Sequence, residues 1–186
     1  PVNPKAKSQK ILGEEVYEKI TDIKNGVDIV DVFRPSNEVL KIAKDKETQT
    51  NLSELNETLK QLAQVNKLIM SGGSKNSSPD IQDARDQLLS KLSNLINFSV
   101  DYGKSGEAKI TTGNSGNGKL LLEGTNFSIL THTIQENKII FNVNRDAKTS
   151  TLHSFSSGIL SGIKNFYDFS SEVQSEINDL ARRVAR

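Results

Sequence analysis

The chain has 186 residues, 24 basic and 23 acidic, for a formal net charge of +1. That length allows one ordinary domain or two small ones, and the interleaved signs, with no basic stripe, argue against nucleic acid or a membrane surface as partner. Its lack of cysteine excludes a disulfide framework, a thiolate metal site and a cysteine nucleophile, and no apolar run approaches the roughly 18 residues that suggest a membrane span.

The chain starts Pro1-Val2-Asn3-Pro4, without an initiator Met or a signal-peptide pattern, so it is expected to begin inside something longer. Val2 to Pro4 reads as a strand end, and Gly13-Glu14-Glu15-Val16-Tyr17 as a loop. Val27 to Phe33 is apolar at most positions, as a buried parallel strand would be. Arg34-Pro35-Ser36 ends it, and Ser36 is placed to cap a helix with Val39, Leu40, Ile42 and Ala43 inside.

Pro1-Val2-Asn3-Pro4, Gly13 to Tyr17 and Asp28-Ile29-Val30-Asp31-Val32-Phe33-Arg34 resemble the small CoA-binding proteins with a Rossmann-like fold. The resemblance covers about residues 1–45 and implies Asn3, Pro4, Phe33 and Arg34 as CoA-proximal positions, at the carboxyl ends of neighbouring strands. The glycine-bearing phosphate loop of that family is missing, so the expected nucleotide site is half deleted.

From Lys46 the composition shifts to Asn, Gln, Ser, Leu and Thr, with Thr48 or Thr50 as the expected cap of a long helix. Leu52, Leu55, Leu59, Leu62, Asn66 and Ile69 follow one another at steps of 3, 4, 3, 4 and 3, a coiled-coil seam with one polar member. Asn66 either fixes register or partner number or marks the fraying of the seam. After Ser71 to Pro79, a second helix opens with a Ser78 cap, Pro79 at its first position and Asp80 in its first turn. Its seam is Ile81, Ala84, Leu88, Leu92 and Leu95, with Leu89 and Ile96 widening the face. The two arms should close as an antiparallel hairpin. Val173, Ile177, Leu180 and Val184 repeat the spacing, and this third arm is expected against the same seam.

Asp83-Ala84-Arg85-Asp86-Gln87-Leu88-Leu89 running on to Val100, Lys119 to Gly124, Ser157 to Ile163 and the returning helix Val173 to Val184 resemble the flagellar hook-associated protein of the hook-filament junction. The resemblance spans about residues 48–186 and several separated motifs agree in order. It implies a non-enzymatic structural part of the bacterial flagellum, exported and extracellular, a homo-oligomer that packs with other axial proteins such as the hook protein and a second junction protein. No cofactor is expected for it. Terminal helices that pack into the axial tube in that family are absent on both sides, so axial assembly by this chain alone is not implied.

Between the helices, Phe98 to Asp101, Glu107 to Thr112, Lys119 to Glu123, Phe127 to Thr133 and Lys138 to Val143 read as short strands punctuated by glycines. Gly113 to Lys119 ends in Gly-Lys but has no Ser or Thr after the lysine and precedes a strand, so it reads as a hairpin loop. His132 and His153 have no ligand-spaced histidine or acid and read as surface or strand-edge imidazoles. No serine sits in a Gly-x-Ser-x-Gly elbow, and Gly158 and Gly162 read as a turn into the last helix.

The expected fold class is therefore α+β: an antiparallel helical coiled-coil rod with a small antiparallel β insertion at 98–145, preceded by an incomplete α/β, Rossmann-like fragment. Residues 1–46 form the partial CoA-binding piece and 47–186 the flagellar piece. No catalytic residue or metal site is expected. The alternative function is a cytoplasmic CoA-binding module. Two pieces of unrelated proteins in one chain make a chimera or fragment an expectation.

Overall fold

The computed structural model describes residues 10–11, 14–15, 36–72, 78–136, 138–152 and 155–184. The chain divides into two compact units, Pro1–Lys41 and Ile42–Arg186. In the first, β1 (Lys10–Ile11) pairs antiparallel with β2 (Glu14–Glu15), so part of the expected loop at Gly13 to Tyr17 is strand. The expected strand at Val27 to Phe33 lies outside the described residues.

Helix α1 spans Ser36–Gly72 and α2 spans Pro79–Leu95. Every member of the α1 seam is buried, from Leu52 through Leu55, Leu59, Leu62 and Asn66 to Ile69. Period alone located this face, because the positions three and four apart share one side of a helix. The caps expected at Thr48 and Thr50 are corrected. Both lie within α1, where their hydroxyls donate to the carbonyls of Lys44 and Lys46 at 2.7 and 3.0 Å. Such local bonding lets Thr48 be buried within a helix without an orphaned hydroxyl. At the start of α2 the boundary stands as expected, with Pro79 leading the helix, but the Ser78 side chain makes no capping bond.

α2 returns along α1: Lys91 pairs with Glu54 at 3.3 Å, and Leu92 and Leu95 share a core with Leu52 and Leu55. Its earlier seam residues Ile81, Ala84 and Leu88 are only half-buried.

The β insertion forms two sheets where one was expected. β3 (Phe98–Tyr102), β4 (Ala108–Thr112), β5 (Leu120–Glu123) and β6 (Asn126–Phe127) make an antiparallel meander. β7 (Ile129–Gln135), β8 (Lys138–Arg145) and β9 (Lys148–Leu152) make a second. The expected strand Phe127 to Thr133 is interrupted at Ser128, whose amide returns to the Leu121 carbonyl at 2.8 Å and whose hydroxyl donates to the Leu120 carbonyl at 2.8 Å. An irregularity in register between β4 and β5 aligns Ile110 with Leu122 but Thr111 with Leu120. A residue inserted into a ladder breaks the in-out alternation, and here Leu121 and Leu122, adjacent in sequence, are both fully buried.

Helix α3 (Ile159–Val184) packs its first half, through Leu160, Ile163 and Tyr167, into the core that contains the α1 seam and Phe141 of β8. The expected placement of the third arm is overturned. Ile177, Leu180 and Val184 are exposed by 55, 63 and 81%. At about 100° per residue, that stripe lies roughly 100° around the helix from the buried residues, so the two halves of α3 present different apolar faces.

Candidate functional site

The polar groups of unit 42–186 are concentrated where α1 and α2 meet the sheets, and they bind backbone. Asn66, fully buried, donates from Nδ2 to the carbonyls of Ala108 and Gly124 at 2.7 and 2.8 Å, and its Oδ1 accepts the Ala108 amide at 2.8 Å. One amide side chain thus satisfies the outward backbone groups at the start of β4 and one carbonyl of the β5–β6 turn. The seam is not frayed here; its polar member is a clamp between helix and sheet. Asn56 repeats the device on the other sheet, donating to the Leu130 carbonyl at 2.9 Å and accepting the Leu130 amide at 2.8 Å.

Arg85, within the Arg-Asp-Gln-Leu-Leu stretch of α2, holds the β3–β4 hairpin. Its Nη1 donates to the Gly106 carbonyl at 3.2 Å, its Nε donates to Asp86, and its guanidinium lies 4.7 Å from the centroid of the Tyr102 ring. A planar guanidinium can stack and donate in its plane together, which an ammonium cannot. Gly113 to Lys119 is a hairpin loop, as expected, tied back to β3 because Ser99 donates to the Gly113 carbonyl at 2.8 Å and accepts the Gly116 amide at 3.1 Å.

The junction of α2, β3 and α3 is set by Asn97 and Gly158. Asn97 Oδ1 accepts the amides of Ser156 and Ser157 at 2.9 and 3.4 Å. Gly158 has φ +91°, and a Cβ there would stand 2.5 Å from the Leu95 carbonyl oxygen. Gly158 is therefore the turn, as expected, whereas Gly162 lies inside the first turns of α3.

His132 lies on β7, an edge strand of its sheet, the second of the two expected settings, and is not a surface imidazole. Its side chain is only 12% exposed and its Nε2 lies 2.7 Å from Asp45 Oδ1, joining β7 to α1 through a residue 87 positions away. Burial, and second the Asp45 charge, raise the Tyr167 pKa above its ordinary value of 10.0. On the sheets, Lys109 pairs with Glu123 at 2.9 Å and Arg145 approaches it at 3.8 Å. The hydrogen bond and charge of Lys109, aided by Arg145, hold the Glu123 carboxyl below its usual range. His153 lies outside the described residues.

Among the described residues no three acidic or histidine side chains converge as metal ligands, and no helix is long and apolar enough to cross a membrane. Asn3, Pro4, Phe33 and Arg34, the positions implied for CoA, all lie outside the described residues. The residues that bind backbone from one element to another, Asn56, Asn66, Arg85 and Asn97, carry no catalytic signature in sequence. Only Asn66 interrupts an apolar period visibly enough to be noticed. The arrangement can lock helices to sheets.

No curated protein matches the chain. Residues 27–186 match the family model described as flagellar hook-associated protein FlgK, helical domain, a match that begins ahead of the expected boundary at 46 and takes in Phe33 and Arg34. A body of helices braced against antiparallel sheets by backbone-directed amides, matched over most of its length, places the chain in the flagellar hook-associated protein FlgK family, whose members are structural components of the flagellum.

Proposed function

We propose that the chain is a structural element of the hook-filament junction of the bacterial flagellum, exported from the cell and working by packing between its own copies and with the neighbouring hook protein and second junction protein. The family match over residues 27–186 supports this reading. So does the single observation that carries most weight in the structure: the amides of half-buried Asn56 and fully buried Asn66 are spent on fastening sheets to a long helix. Such a body resists shear between its layers, which a joint needs and a ligand-binding module does not. The unbroken seam from Leu52 to Ile69 supports a rod role for α1 and α2, with coiled-coil spacing as its basis. No cofactor enters this function.

Antibodies raised against residues 42–186 and used for immunogold labelling of flagella from cells that make the protein test the reading. The expected result is label confined to a short band between hook and filament. Label along the whole filament, or inside the cell alone, would overturn it.

A further inference from the structure

The hairpin loop Gly113-Asn114-Ser115-Gly116-Asn117-Gly118-Lys119 carries an Asn-Gly pair near its end. Both ends of the loop are pinned. The Thr112 amide donates to the Lys119 carbonyl at 2.9 Å and the Lys119 amide donates to the Thr112 hydroxyl at 2.8 Å, while Ser99 holds the Gly113 carbonyl and the Gly116 amide. Asn117 and Gly118 lie between those ties and are exposed. Among the described residues nothing accepts the Gly118 amide proton or engages the Asn117 side chain. The other asparagine of the loop differs: Asn114 Oδ1 accepts from Asn97 Nδ2 at 3.4 Å, and Ser115 behind it bears a side chain. Residue 118 has to be glycine, because a Cβ there would collide with the Thr112 carbonyl oxygen. The same bareness leaves its amide nitrogen open to the side chain before it.

We propose that Asn117 is a site of spontaneous covalent modification, deamidation through the Gly118 amide, with water as the only co-reactant. The Gly118 nitrogen gives up its proton to solvent and attacks Asn117 Cγ. A C–N bond forms, the Cγ–Nδ2 bond breaks, ammonia leaves with a proton taken from water, and a five-membered succinimide remains. Water then opens the ring at either carbonyl, giving aspartate, or isoaspartate with the main chain routed through the side-chain carbon. Nothing is oxidised or reduced. Asparagine is among the thermolabile residues, and a following glycine has no Cβ to obstruct ring closure. Either product sets a new carboxylate two residues from Lys119. Isoaspartate also adds one methylene to the main chain between the Ser99 tie at Gly116 and the Thr112 tie at Lys119, slackening a span that both ties hold short. The proposal rests on this loop alone and is independent of the flagellar role.

Incubation of the folded full chain in mildly alkaline buffer, followed by tryptic mapping with electron-transfer fragmentation, tests it. The fragment from Ile110 to Lys119 holds both asparagines of the loop, so one spectrum compares them. A progressive loss of the Asn117 amide is expected, replaced by aspartate and isoaspartate, while Asn114 stays intact. Asn117→Gln, at an exposed position that makes no bond among the described residues, should leave the loop unmodified, since glutamine would have to close a six-membered ring. A synthetic peptide of residues 110–119 gives the rate without the fold. An Asn117 still intact in the folded chain once the peptide has reacted, aspartate formed with no isoaspartate, an Asn114 lost as fast as Asn117, or isoaspartate still appearing in the loop of Asn117→Gln would each overturn the proposal.

Discussion

Replacing Asn66 separates two accounts of a polar residue on an apolar seam. If Asn66 is only a cost to the core, Asn66→Leu should stabilise the protein by completing the run from Leu52 to Ile69. The geometry predicts the opposite. Its side chain satisfies the Ala108 amide, the Ala108 carbonyl and the Gly124 carbonyl at 2.7 to 2.8 Å, and both Asn66 and Ala108 are fully buried. A buried backbone group left unsatisfied costs about 1 to 3 kcal/mol. With three such groups and partial relaxation, Asn66→Leu and Asn66→Ala should each lose about 3 to 5 kcal/mol. That is a large share of the roughly 5 to 15 kcal/mol that holds a domain folded. Urea denaturation followed by circular dichroism measures it as a fall in the midpoint at unchanged slope. Hydrogen exchange at Ala108 should accelerate together with the loss, since its amide loses its acceptor. An Asn66→Leu protein as stable as the original would refute the clamp and return Asn66 to the status of a tolerated blemish.

Three further outcomes are expected. Gly158→Ala should lower the melting temperature sharply, by the equivalent of 2 kcal/mol or more as an order of magnitude, because a Cβ meets the Leu95 carbonyl oxygen at 2.5 Å and φ is +91°. Arg85→Lys keeps the charge but loses the stacked fork over Tyr102, so exchange at the β3–β4 hairpin should speed while global stability falls by only about 1 kcal/mol. The depressed pKa of Glu123 makes a pH-linked contribution that is present above the ordinary carboxylate range and is lost as pH falls through the folded-state value. Lys109→Met should return the Glu123 titration, followed by NMR, towards the ordinary carboxylate range and flatten that acid-side slope.

Helix α1 was legible because each of its buried residues sits at a three- or four-residue step, and the antiparallel return of α2 followed from a short connection and a second apolar face. Period is silent on what covers a face. Ile177, Leu180 and Val184 alternate steps of three and four as Leu52, Leu55, Leu59 and Leu62 do, yet the first set is exposed and the second buried, and only tertiary packing decides. Most of the strands were legible, but not their division into two sheets. Ser128 looks like one more alternating position between Phe127 and Ile129 until its amide is seen returning to Leu121. β9 escaped notice because Lys148-Thr149-Ser150-Thr151 has no apolar alternation, its pairing with β8 resting on backbone bonds. The strand partners of Asn56 and Asn66 were out of reach for a different cause: they lie 74 and 42 residues downstream, and no local signal announces which asparagine will meet a strand.

That separation also sets an order of events. The α1 seam is complete once residue 69 exists, but the side chains that cover it come from α2, the sheets and α3, as late as Tyr167. Loop closure over such distances is slow compared with helix formation, which takes about a microsecond or less. A growing chain therefore carries α1 with part of its seam uncovered, Asn66 short of its partners until residue 124 and Asn56 until residue 130. Truncation anywhere before Leu130 should leave a helix that is present, sticky and unfinished. The core closes only once Tyr167 has joined it, so the first half of α3 is the last piece of the body to arrive.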